Sequence, residues 1–228
     1  MKTVFTNDMV CHVWAQQCQP SGRNANSSVF FEGRTIYSYG RHFPIATLGK
    51  DKNGRQVALL TNRTYSITTS GHQALVWRAI RLATDVFSVP NPQALEYEGE
   101  QAKREHQRNL ESYDKRVLEL VEQAAKRRKA SLAMHDIERA RFWHNERNEY
   151  ATRLVKGGRK IAFILDSKPD FIERIKTKAA AEKEREKAQY AKFQRERIAA
   201  VNAFTGHELD AAHGSIKQLS AKPPEPCV

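Results

Sequence analysis

Hydrophobic positions change their period along the chain, and the change predicts the elements. Val10, Cys11, Val13, Trp14 and Cys18 recur at helical spacing; Asn7 or Asp8 is placed to cap the helix, and Pro20-Ser21-Gly22 to end it. Residues 23–27 read as loop. Val29-Phe30-Phe31-Glu32 and Thr35-Ile36-Tyr37-Ser38-Tyr39 then bracket Gly33-Arg34. Glycine at the first of two central positions is what a type II′ hairpin turn demands. Residues 45–48 predict a third strand, 49–54 a turn and 55–61 a fourth strand, while 64–68 has strand composition. Ser70-Gly71-His72-Gln73 matches a capping box, opening a helix that carries Leu75, Val76, Ala79, Ile80 and Ala83 on one face.

The pattern changes character at Ser88-Val89-Pro90-Asn91-Pro92, which reads as a boundary. Beyond it the period is helical to about Val155 without a further proline. Leu110, Tyr113, Val117, Leu120 and Ala124 keep 3-4 spacing, with Ser131 and Met134 following: a narrow stripe of about three heptads, suited to one helical partner. Gly157-Gly158 breaks this helix. Ile161-Ala162-Phe163-Ile164-Leu165 is either a buried strand or a hinge packed where helices turn. Ser167 and Pro169 restart a helix through Phe171, Ile172 and Ile175, with Tyr190, Phe193, Ile198 and Val201 restoring an apolar face before Gly206.

The predicted fold class is therefore α+β. A small, mostly antiparallel sheet with flanking helices (1–88) precedes a Pro-rich boundary (89–92) and a long helical hairpin or coiled-coil-like arm (93–205), which turns over at 157–167. A flexible tail (206–228) follows.

Charge sharpens this division. The chain carries a net charge of +12. Residues 1–90 hold 10 Lys/Arg and 4 Asp/Glu, leaving 28 and 22 for the rest. The front is sparsely charged and almost purely basic; the back interleaves both signs as solvated helix faces do. A polyanion footprint, nucleic acid first, is expected on the front module. Three cysteines (Cys11, Cys18, Cys227) form no even framework. Cys11 and Cys18, on one predicted helix, lack disulfide geometry, which fits a reducing compartment. The N-terminal segment lacks the features of a signal peptide, and no apolar run reaches the length of a membrane span. A cytoplasmic protein, without membrane contact, is expected.

Two groups of residues carry candidate chemistry. Arg23, Asn24, Tyr37, Tyr39, Arg41, His42, Arg63 and Tyr65 combine bases with aromatics, as single-stranded nucleic-acid binders do. The same tyrosines and threonines also suit ordinary cross-strand pairing. Thr68, Thr69, Ser70, Gly71 and His72 place hydroxyls and free N–H groups at a predicted helix start, an anion site or an ordinary cap. Lys126-Arg127-Arg128-Lys129 is a basic run within the long helix. His12, His42 and His72 match no metal-ligand spacing, so neither metal nor cofactor is expected.

Trp14-Ala15-Gln16-Gln17, Gly22-Arg23-Asn24, Phe30-Phe31-Glu32-Gly33, Thr35-Ile36-Tyr37-Ser38-Tyr39-Gly40, His42-Phe43-Pro44-Ile45-Ala46 and Arg63-Thr64-Tyr65-Ser66, with Thr68-Thr69 and His72, form a set. Together they resemble the front domain of an uncharacterised family encoded by bacteriophages and related mobile elements. The resemblance spans residues 3–83. It implies a mobile-element origin and a bacterial cytoplasm, and carries no activity with it.

The functional expectation is a non-enzymatic phage accessory protein that binds nucleic acid, or a host protein handling nucleic acid, through the front module. The arm would serve self-association or reach. The alternatives are an interaction protein acting through its helices, or an enzyme on a phosphorylated substrate using Arg23, Tyr39, His42, Arg63 and His72. Two-metal phosphoryl chemistry is disfavoured because the front module's four carboxylates (Asp8, Glu32, Asp51, Asp85) are scattered along the sequence.

Overall fold

The computed structural model describes residues 3–64, 66–80 and 84–210, with side chains to residue 202. Seven strands form one sheet in sequential order: β1 (Val4–Phe5), β2 (Ser21–Asn24), β3 (Val29–Glu32), β4 (Thr35–Ser38), β5 (Pro44–Lys50), β6 (Gln56–Thr61) and β7 (Asp85–Val89). Strands β2 to β6 form an antiparallel meander. The edge strands are added in parallel, β1 to β2 and β7 to β6. Parallel neighbours need a crossover, and helices α1 (Asn7–Gln16) and α2 (Ile67–Ile80) supply the two.

The antiparallel core and the β3–β4 hairpin are as the sequence predicts, with Gly33 at φ 54° and Glu32 paired to Thr35. Neither parallel edge was anticipated. Residues 23–27 were expected as loop, yet Arg23 and Asn24 belong to β2. The strand expected at 64–68 does not form among its described residues. Ile67 instead opens α2 and is 94% exposed. Ser66 sets this earlier start: its hydroxyl accepts from the Thr69 N–H at 3.1 Å, and its carbonyl from the Ser70 N–H at 3.0 Å. The capping box expected at Ser70 thus lies inside the helix. Ala83 is outside the described residues.

Helix α1 is capped by Thr6, whose hydroxyl accepts from Met9 N at 3.4 Å, rather than by Asn7 or Asp8. It ends before Cys18. Gln17 adopts a left-handed conformation, and its amide donates to the Trp14 carbonyl at 2.7 Å. Cys11 is buried on α1, whereas Cys18 is exposed beyond its end, so the two cysteines do not lie on one helix as expected.

One sheet face packs on α1 and α2 through Val10, Cys11, Trp14, Phe31, Ile36, Val76 and Ile80. The opposite face carries Val57, Leu59, Phe87 and Val89, covered by residues that follow Pro90. These come from a 3₁₀ turn (Pro92–Leu95), α3 (Gly99–Lys126) and α4 (Ala130–Leu154), including Ala94, Leu110, Tyr113 and Tyr150. Arg153 ties the base of this hairpin to the sheet, reaching Asp51 at 2.9 Å and Asp85 at 2.8 Å.

The helix expected to run unbroken to Val155 breaks at residues 127–129, within the basic run. The Arg127 side chain bonds buried Asp136 at 2.7 Å, and the Glu182 carboxylate accepts from the Ala130 and Ser131 N–H groups at 2.9 and 3.1 Å. The arm therefore turns over at 127–129, an unexpected reversal, as well as at the expected break, after which α5 runs back along α4. Leu110, Tyr113, Val117, Leu120 and Ala124 are buried as expected, and α4 is their partner.

The segment from 155 to 168 is the hinge alternative, not a strand. Asn148 brackets Ile161 with two 3.0 Å hydrogen bonds, and Phe163 and Leu165 are buried against Ile137 and Ala140. A Cβ on Gly158 would overlap the Ala151 carbonyl. Ser167 donates to the Ile164 carbonyl instead of capping the last helix, α5 (Pro169–Asp210). That helix passes through Gly206, where the tail was expected to begin. Residues 211–228 lie outside the described residues.

Candidate functional site

The turn between β4 and β5 organises the most conspicuous surface of the sheet. Arg23, Phe30 and Tyr37 stand opposite one another across β2, β3 and β4, on the face turned away from α1 and α2. Phe30 and Tyr37 stack with ring centroids 5.1 Å apart. Past Ser38 the chain enters a turn in which Tyr39 has φ 60°, an unusual state for a bulky residue. Three backbone bonds hold it there: Tyr39 N to Ser28 O at 2.9 Å, Ser38 N to Phe43 O at 3.0 Å and Phe43 N to Gly40 O at 3.0 Å. The Tyr39 ring is 58% exposed and lies 5.6 Å from the His72 ring. The His42 ring rests so close to the Gly40 α-carbon that a Cβ there would collide with it.

This turn separates two concavities. On one side a shallow groove of about 570 Å³ is lined by Arg23, Phe30, Glu32, Tyr39 and Arg41, among others. Arg41 bonds Glu32 through two contacts of 2.7 Å, which lower the Glu32 carboxyl and raise the guanidinium. Both partners are solvent-exposed, so the pair is weak in water. Arg23 folds over the next turn, donating to the carbonyls of Asn24 and Ala25 and to Ser27 Oγ at 3.2–3.3 Å.

On the other side a cavity of about 360 Å³ lies among the start of β5, the end of β6, the 3₁₀ turn and α3. His42, Arg63, Tyr97 and Arg108 line it, with Asn91 and Glu105. Burial alone would raise the Glu105 carboxyl, but hydrogen bonds from Asn91 and Arg108, both 2.7 Å, and the charges of Arg108 and Arg104 hold it below its ordinary range. Behind Asn91 runs a polar chain. The Asn109 amide donates to the Asn91 carbonyl and to the Tyr150 hydroxyl, each at 2.9 Å, and that hydroxyl lies 2.7 Å from His106 Nδ1. Asn109 and Tyr150 are fully buried. Desolvation lowers the His106 imidazole, favouring its neutral form.

The sequence candidates therefore divide. Arg23, Tyr39 and Arg41 line the groove, and His42 and Arg63 the cavity. Tyr37 and Tyr39, two apart in the predicted strand, part company because β4 ends at Ser38. Tyr37 is 6% exposed, its hydroxyl pushed up by burial and by the charge of Glu96. Asn24 is buried and structural, donating to Asn7 Oδ1 at 2.7 Å and Ser28 Oγ at 2.8 Å. Tyr65 lies outside the described residues.

The expected anion cradle is not assembled as proposed. Thr69 and Ser70 direct their N–H groups to Ser66, Thr68 is exposed, and Gly71 and His72 lie within α2. His72 is buried, 2.8 Å from Ser38 Oγ, and desolvation lowers its imidazole. Arg23, His42 and His72, which an enzyme would need together, lie in the groove, in the cavity and in the core respectively.

Asn91, Tyr97, Glu105, Arg108, Asn109 and Tyr150 were missed by sequence reasoning. They follow or adjoin the Pro-rich stretch, in a region whose mixed charge reads as solvated helix. Among the described residues no group of three His, Cys, Asp or Glu is placed to hold a metal ion, and no helix is long and apolar enough to cross a membrane. Comparison with known proteins found no matching family model, curated protein or solved structure.

Proposed function

We propose that the chain is a non-enzymatic nucleic-acid-binding protein whose site runs from the groove, across the Tyr39–Phe43 turn, into the cavity beside α3. The observation that carries this reading is the lining of the two concavities: four arginines (Arg23, Arg41, Arg63, Arg108) and only two carboxylates (Glu32, Glu105), on either side of a turn that holds an exposed tyrosine at positive φ. A cationic track beside an aromatic platform is what single strands require, because phosphates follow the charge and an unstacked base can lie on the ring. The Arg41–Glu32 pair is exposed enough to exchange its carboxylate for phosphate at little cost. The cavity's carboxylate, tied to Asn91 and Arg108, is poorly placed for acid–base chemistry. The likeness of residues 3–83 to phage-encoded proteins supports a role in a mobile element's handling of nucleic acid in the bacterial cytoplasm.

The test is retention of single- and double-stranded oligonucleotides at two salt concentrations. The single strand should bind more tightly. Arg63→Ala and Arg23→Ala should each weaken binding across sequences and reduce the salt slope by about one phosphate contact. Tyr39→Ala should cost about 1–3 kcal/mol of single-strand affinity while leaving the salt slope unchanged. Absence of binding at low salt, or binding untouched by all three substitutions, overturns the reading.

A further inference from the structure

A further cavity, of about 550 Å³, lies between the first turns of α3 and the end of α4. Gly99, Ala102, Lys103 and His106 follow one another at helical spacing along one side of α3, and Leu154, Val155 and Lys156 close the space from the α4 side. The wall is largely apolar with a few polar groups, and the volume is that of a site for a small organic molecule. None of its residues lines the groove or the cavity assigned to nucleic acid.

His106 gives this space a directed donor. The residue is only 9% exposed, and its Nδ1 lies 2.7 Å from the Tyr150 hydroxyl. That hydroxyl accepts from the Asn109 amide at 2.9 Å, and among the described residues its own proton has no acceptor except Nδ1. Nδ1 is therefore the accepting nitrogen. In the neutral imidazole that burial favours, Nε2 carries the hydrogen. Nε2 has no hydrogen-bond partner among the described residues, yet it is not sealed: the one sealed side-chain polar atom without a partner is the Tyr113 hydroxyl. A buried N–H is thus held in place from behind by a hydrogen-bonded chain and left open where the ring lines the cavity.

Charge sets the sign of the ligand. Lys103 and Lys156 stand at the mouth, one on each side, against a single lining carboxylate, Glu100, which lies 3.7 Å from Lys103 Nζ. From this geometry we infer that the cavity binds a small organic carboxylate, its apolar body against Ala102, Leu154 and Val155 and its oxygens accepting from His106 Nε2–H beside Lys156. A neutral apolar guest would leave the Nε2–H unpaired on losing its water, and an organic cation would meet two ammonium groups.

Titration calorimetry of the full chain with octanoate tests this. The wild type should bind one octanoate per chain, octanol about tenfold more weakly, and octylammonium more weakly still. Lys156→Glu, at an exposed position, should weaken octanoate by about tenfold and leave octanol unchanged. Ala102→Phe, which fills the cavity from a half-buried position, should abolish binding of both. Long-range proton–nitrogen correlation of the imidazoles should show His106 as the Nε2–H tautomer, with its Nε2 signal moving on addition of octanoate. Absence of saturable octanoate binding, equal affinity for octanol, binding untouched by Lys156→Glu or by Ala102→Phe, or an Nδ1–H tautomer overturns the proposal. Oligonucleotide retention by Ala102→Phe should match the wild type and so reports on the nucleic-acid reading separately.

Discussion

Two tyrosines in one core cluster allow the same chemical change to be made with opposite expected results. Tyr113 and Tyr150 have ring centroids 5.8 Å apart, and both are almost wholly buried. The Tyr150 hydroxyl accepts from the Asn109 amide at 2.9 Å and lies 2.7 Å from His106 Nδ1. The Tyr113 hydroxyl has no hydrogen-bond partner among the described residues. Desolvation raises both phenols, so both are neutral at ordinary pH and the comparison is between neutral groups. Tyr150→Phe removes one oxygen but strands two buried groups, one N–H of Asn109 and the His106 ring nitrogen. Leaving a buried polar group unsatisfied costs about 1–3 kcal/mol, so the variant should lose about 2–6 kcal/mol.

Tyr113→Phe removes only an unsatisfied oxygen and should be neutral or stabilising by up to about 1 kcal/mol. Equilibrium urea denaturation with matched m-values measures both. Equal losses, or a larger loss for Tyr113→Phe, would falsify the assignment of the buried chain as a cooperative polar network. Because Asn109 in turn holds Asn91 at the cavity wall, Tyr150→Phe should also weaken oligonucleotide binding under conditions where the variant is fully folded.

Two further predictions concern stability. His72, His106 and His144 all have imidazoles lowered by burial from the ordinary 6.5. The unfolded chain therefore takes up protons first, and stability should be level above about pH 6.5 and fall as pH drops from there through the lowered native values. A denaturation series from pH 7.5 to 5 checks this, and stability rising on acidification through that window refutes it. Arg153→Met should lower the denaturation midpoint far more than Lys187→Met, because Arg153 bridges Asp51 and Asp85 from beneath the sheet edge whereas Lys187 meets Glu184 in open solvent. Comparable shifts for the two would show that the hairpin base is not fixed by this bridge.

What the sequence revealed depended on whether the deciding interaction was local. The Gly33 turn, the alternation of Val29 to Glu32 and the narrow stripe from Leu110 to Ala124 each depend on neighbours a few residues away, and each is found as read. The start of α2 depends on Ser66, one turn before the stronger-looking motif at Ser70, and two overlapping caps cannot be ranked without knowing where β6 ends. The break at 127–129 carries neither glycine nor proline. It rests on Asp136 and on Glu182, the latter more than 50 residues downstream, so no local pattern could announce it. For the site, residue types on the front module were legible, but the far wall of the cavity comes from Asn91, Glu105 and Arg108, whose composition resembles any solvated helix.

The same reasoning changes what the compositional seam at Pro90 means. Strand β7 ends there, yet the sheet's second face is finished only by residues beyond it. Without Leu110, Tyr113 and Tyr150, the apolar side chains of Val57, Leu59, Phe87 and Val89 would face water. A fragment ending at Pro90 would expose a contiguous apolar surface and should aggregate rather than behave as an independent module. The helical half stays tied to this body as far as Glu182, whose carboxylate accepts from the Ala130 and Ser131 N–H groups. Up to that point the charged helices complete the core and wall the cavity.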